Sequence, residues 1–174
     1  DPVVGKAVPD LLGLMRGVLD QLGRQPVTVT LTHPETGQSV PVAVGKFDLQ
    51  AATAGMLPGP DSFSPLGDVY ARMAAGDFVG LALQVAQERQ GGLVSAMSMA
   101  MDCASGATAG RIQRIAEEAP GTLLGDAINF PFPGICAAWE VPDLGDAFRA
   151  SLVSAVPALF ISGTLGGRTG GTGT

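Results

Sequence analysis

His33 is the only imidazole of the chain, and it stands in His33-Pro34-Glu35, where a ring nitrogen and a carboxylate share one short segment. Zinc takes more ligands than one such pair supplies, so a single chain offers half a site at most. Two copies meeting across a twofold axis would double the pair, which makes His33 and Glu35 a candidate half-site for a divalent metal such as zinc at a symmetric interface. The plainer reading is that both are turn residues facing water. Cys103 and Cys136 are the only cysteines, and no C-x-x-C pair exists to hold zinc. They are read either as a disulfide or as two buried thiols. Asp102-Cys103 precedes Ala104-Ser105-Gly106, a small-residue turn that could open the following helix. A thiolate near a helix N-terminus has a lowered pKa and could act as a nucleophile, although no histidine stands near it in sequence as a base. Against that stands a Cys103 that is simply buried or bonded to Cys136.

Carboxylates are frequent in the last third, at Glu117, Glu118, Asp126, Glu140, Asp143 and Asp146. Two that converged could serve as acid and base, or hold a divalent cation through oxygen. Sequence does not say which converge, and acidic residues near helix starts are expected in any case. Met97, Met99 and Met101 read as adaptable packing rather than as a ligand box.

The elements that must position these residues begin with a helix over 9–23, where Leu11, Leu12, Met15, Val18, Leu19 and Leu22 recur at helical spacing and Pro9 suits a first turn. Val27 to Thr32 alternates apolar and hydroxyl residues, and Val40 to Val44 alternates again after His33-Pro34-Glu35-Thr36-Gly37. That pattern predicts a β-hairpin with one buried face and His33 in its loop. Short helices are expected over 49–57, 65–75 and 77–90, separated by Pro58-Gly59-Pro60 and Gly76 and closed by Gly91-Gly92. Residues 93–104 are apolar and small, and their period does not separate helix from strand. Thr108 to Glu118 predicts a helix ended by Pro120-Gly121, and another is expected around Leu144 to Leu152. Pro157 to Ser162 is a short apolar run of the kind a buried parallel strand has. The tail 163–174, nearly all Gly and Thr, predicts flexibility.

The chain has 174 residues, within the range of one domain, and no apolar run approaches the roughly 18 residues that a membrane-spanning helix needs. Yet 46% of it is hydrophobic, mean hydropathy is +0.32, and only 15% is charged. Soluble domains carry about 25% charged residues, so this shortage predicts an interface. Net charge is -6 and the basic residues are scattered singly, which argues against nucleic-acid binding. Residues 1–6 show neither the charged nor the apolar region of a targeting segment.

Cys136-Ala137-Ala138-Trp139, followed by Val156-Pro157-Ala158-Leu159-Phe160-Ile161-Ser162-Gly163-Thr164-Leu165, resembles the C-terminal half of tripeptidyl-aminopeptidase-like α/β-hydrolases. In that family a Cys-x-x-Trp segment precedes a core strand of this type, and residues 45–150 would correspond to its helical lid. The resemblance implies a secreted or periplasmic parent. It also implies a missing reaction: Gly166 stands where the triad Asp is expected, and Gly170-Gly171 where two prolines are. No G-x-S-x-G elbow occurs, and the chain stops before the position expected for the His.

The expected fold is α+β and mainly α, a single lid-derived domain over 1–162 with an inserted hairpin and one orphan core strand. A lid parted from its core must hide its contact face, and a homodimer is the commonest remedy. Two functions are carried forward. One is metal-assisted hydrolysis of a small carboxylic or phosphate ester at His33 and Glu35, without Ser-His-Asp. The other is a non-catalytic lid module that binds or supports.

Overall fold

A computed structural model describes residues 8–58, 65–91, 95–151, 153–157 and 159. The fold is mainly helical α+β, with one two-stranded antiparallel sheet. The chain divides into two compact units, one within residues 1–92 and the other within 93–162.

The first unit starts with α1 (Leu11–Arg24). Asp10 caps it, its Oδ1 accepting from the Gly13 N–H at 2.8 Å, while Pro9 precedes the helix instead of opening its first turn. Met15, Val18, Leu19 and Leu22 form the buried stripe that their spacing predicted. Strands β1 (Val27–Thr32) and β2 (Ser39–Val44) follow, in a register that pairs Val27 with Val44 and Leu31 with Val40. Burial is graded along the hairpin: Val42 and Val44 are buried at its base, whereas Val40 is exposed near the loop. Only the base therefore joins the core, where both strands pack on α4 (Val79–Gly91).

Helix α2 (Lys46–Met56) begins where Asp48 Oδ2 accepts from the Gly45 N–H at 2.7 Å. The other Asp48 oxygen pairs with Arg89 at 3.1 Å, tying the start of α2 to the end of α4. Helix α3 (Leu66–Ala74) buries Leu66, Tyr70 and Met73 against α1. It ends in a Schellman motif: Asp77 N–H reaches the Arg72 carbonyl and Gly76 N–H the Met73 carbonyl, each at 2.9 Å. Gly76 has φ 92°, a left-handed conformation that a β-carbon penalises.

Tyr70 is wholly buried, and its hydroxyl lies 2.7 Å from Thr53 Oγ1. Thr53 spends its one proton on the Leu49 carbonyl at 2.8 Å, so Tyr70 is the donor between them. One threonine thus joins a helical carbonyl of α2 to the phenol of α3 and leaves no buried polar atom of the three unsatisfied.

The second unit contains α5 (Ala96–Ser105), α6 (Ala109–Glu118), a 3-10 turn (Ala119–Gly121), α7 (Cys136–Trp139) and α8 (Gly145–Arg149). The ambiguous apolar stretch is therefore helical, with Met99 buried and Met97 and Met101 exposed on its other side. Thr108 caps α6 by accepting from the Arg111 N–H. The helix expected over 144–152 is shorter, because Ala150 is already extended. Among the described residues of this unit only Met99, Cys103 and Ala127 are buried hydrophobics. The orphan strand expected over 157–162 falls outside the described residues except Pro157 and Leu159, which are exposed and in no strand. The tail 163–174, with Gly166, Gly170 and Gly171, lies outside them too.

Burial holds the Tyr70 phenol above its ordinary pKa. A raised folded-state value means that the stabilisation is fully present below the unfolded pKa of about 10 and is lost as pH rises through the folded one. The first unit is therefore expected to lose stability in urea titrations above about pH 10, a loss that Tyr70→Phe removes. At neutral pH the same substitution is expected to cost about 1 kcal/mol, the worth of one hydrogen bond.

Candidate functional site

His33 ends β1, and the hairpin loop closes around it. Its N–H donates to the Gln38 carbonyl at 2.8 Å, and its own carbonyl accepts from Gly37 N–H at 2.9 Å. The ring turns back on the same loop, with Nδ1 accepting from the N–H groups of Glu35 and Thr36, both at 3.3 Å. A neutral imidazole that accepts at Nδ1 carries its proton on Nε2. Ligation through Nε2 would require that proton to leave and the loop contacts to be given up. The Glu35 carboxylate is exposed, and Glu35 meets His33 through its backbone N–H. Among the described residues no group of three or more His, Cys, Asp and Glu side chains is placed to hold a metal ion.

Cys103 and Cys136 form a disulfide, with Cα atoms 5.3 Å apart and a sequence separation of 33. Cys103 lies near the C-terminal end of α5 and not near a helix start, so of its two readings the bonded one holds. Its sulfur is bonded and carries no thiolate, which removes the nucleophile reading. Asp102 accepts from Ser98 at 3.5 Å, the edge of hydrogen-bond range.

Most of the carboxylates go to separate helix-surface partners. Glu117 accepts from Gln113 at 2.8 Å, and Glu118 faces Arg114 at 3.9 Å. Asp143 and Asp146 alone converge, both on Arg149. The Arg149 side chain is only 12% exposed, and its Nε donates to the Ser105 carbonyl at 2.7 Å. A cation on the last carbonyl of a helix satisfies an acceptor and complements the helix dipole. Ala104, one residue earlier, accepts from the Leu144 N–H at 2.9 Å. Gly106 makes the approach possible: it has φ 54°, and a β-carbon there would stand 2.7 Å from the guanidinium. Asp143 is held below the ordinary carboxylate range by the Gly145 N–H first and by Arg149 second. It stays ionised and is no general acid.

A cavity that could take a ligand lies elsewhere, in the first unit. A cleft of about 490 Å³ opens between α2, α3 and α4, inside the roughly 300–1,000 Å³ of small-molecule sites. Leu49, Met73 and Leu81 are its buried apolar lining, and exposed Asp68, Arg72 and Asp77 stand at its edge. None of these residues was singled out by sequence, because they come from three helices and each looks ordinary on its own. The one local signal is the Asp68/Arg72 spacing of four on the exposed side of α3.

Comparison with known proteins found no matching family model, no matching curated protein and no matching solved structure.

Replacing Arg149 by Met keeps the aliphatic stem and removes the donors. This variant is expected to destabilise the second unit by about 1–2 kcal/mol through the lost bond to the Ser105 carbonyl. Trp139 is the only tryptophan and belongs to that unit, so the midpoint of its fluorescence in a urea titration measures the effect.

Proposed function

We propose that this chain is a non-catalytic binding module, derived from the lid of a tripeptidyl-aminopeptidase-like α/β-hydrolase and offering the α2–α3–α4 cleft to an apolar ligand. The cleft is the observation that carries the reading: an apolar lining with charges confined to the edge favours burial of a hydrophobic group and leaves specificity to the rim. The Cys-x-x-Trp segment and the mainly helical fold with its hairpin support descent from such a lid. The residues with catalytic potential are occupied structurally: the sulfurs in a disulfide, Asp143 and Asp146 on Arg149, and His33 Nδ1 in its own loop. Metal-assisted hydrolysis of carboxylic or phosphate esters at His33 and Glu35 draws less support, since that histidine would have to exchange its loop contacts for zinc.

Gly80 lines the cleft with open space in front of it, so Gly80→Phe fills the cavity without disturbing the core. Titration with a neutral fluorescent arylamine is expected to show saturable binding by the parent chain and at least about tenfold weaker binding by Gly80→Phe, or about 1.4 kcal/mol. Equal binding by both overturns the reading. Turnover of p-nitrophenyl acetate or phosphate that is lost with a chelator and in His33→Ala overturns it in favour of the metal-assisted hydrolase.

A homodimer completes the proposal. Met97, Met101, Ile128, Leu144 and Phe148 are all more than half exposed, apolar surface that a second copy would cover. No helix among the described residues is long and apolar enough to cross a membrane. Sedimentation at micromolar concentration is expected to give the dimer mass, and a stable monomer would contradict it.

A further inference from the structure

The first unit has a core of its own, running from Met15 in α1 to Val85 in α4, whereas the second buries only Met99, Cys103 and Ala127 among its described hydrophobics. Three contacts between separate segments of the second unit meet, among the described residues, at one place, the last turn of α5. Cys103 holds α7 there through Cys136, the Ala104 carbonyl holds the Leu144 N–H, and the Ser105 carbonyl holds Arg149 of α8. Two of the three fasteners are hydrogen bonds whose partners reach solvent, and the salt bridges of Arg149 end on exposed carboxylates. Only the disulfide is covalent. Cys103 is nearly covered, whereas Cys136 is the more exposed of the two.

We infer that the Cys103–Cys136 bond is a redox switch on the fold of residues 95–151, which order when it is closed and open when a dithiol reduces it, while residues 8–91 stay folded. The step balances. A thiolate of the dithiol attacks Cys136 Sγ, giving a mixed disulfide, and Cys103 leaves as a thiol after taking up a proton. The second thiol of the reagent then closes its own disulfide and releases Cys136 as a thiol. Two electrons and two protons pass from the reagent to the protein. Opening frees α7 from α5 and leaves Leu144 and α8 held there by hydrogen bonds alone, and the short helices α7 and α8 have too few turns to persist by themselves.

The test treats the full chain with dithiothreitol without denaturant, counts released thiols, and follows amide hydrogen exchange by segment. The expected result is release of both thiols, loss of protection in 96–105 and 145–149, a shifted Trp139 emission, unchanged protection in 11–24 and 66–74, and recovery on reoxidation. The double variant Cys103→Ser/Cys136→Ser should show the same split without reagent. Arg149→Met should keep its protection while oxidised and lose it at lower dithiothreitol. Full reduction that leaves 96–105 protected overturns the inference. So does a bond that resists reduction until the chain is denatured, or a loss of protection that spreads to 11–24.

Discussion

Val18, Leu22, Val44, Leu49 and Tyr70 are almost completely removed from water, and they come from α1, β2, α2 and α3. Their mutual burial is the constraint on which the first unit depends. Each element there is short and would be marginal alone. A buried polar contact, Tyr70 to Thr53 to the Leu49 carbonyl, ties α2 to α3 beside the cleft. The second unit has no comparable burial. A bond closing a loop of 33 residues removes roughly 4 kcal/mol of unfolded-chain entropy, which is more than any one of its few buried side chains offers.

The same inequality bears on function. In the first unit many of the large apolar residues enter a core, with a lined cavity at its edge. In the second they remain outside, and the charged residues are drawn into a clamp on one helix end. A chain so poor in charge has few ways to cover such a surface with solvated side chains. A partner is the economical solution, and it is the one the proposed homodimer adopts.

What was legible in the sequence was local. The stripe of α1, the alternation of the hairpin, the helix at Thr108 and the break at Gly76 each express a period or a backbone preference carried by a few neighbouring residues. The loop position of His33 was legible for the same reason. The stretch before Cys103 was not, because small apolar residues satisfy the period of a helix and of a buried strand alike, and α5 is settled by Met99 and Cys103 facing inward. Ala104-Ser105-Gly106, read as a turn that could open the next helix, instead closes α5, and the capping residue of α6 is Thr108.

Sequence by itself determined the mainly helical α+β class and the hairpin, since hydrophobic periodicity is a property of adjacent residues. Tertiary structure alone decided which groups meet across long separations. It paired Cys103 with Cys136, brought Asp143 and Asp146 to the one arginine that also caps α5, turned His33 Nδ1 into its own loop, and assembled a cleft from three helices. Such meetings depend on how elements pack, and packing is set by the sum of many weak apolar contacts rather than by any residue's near neighbours.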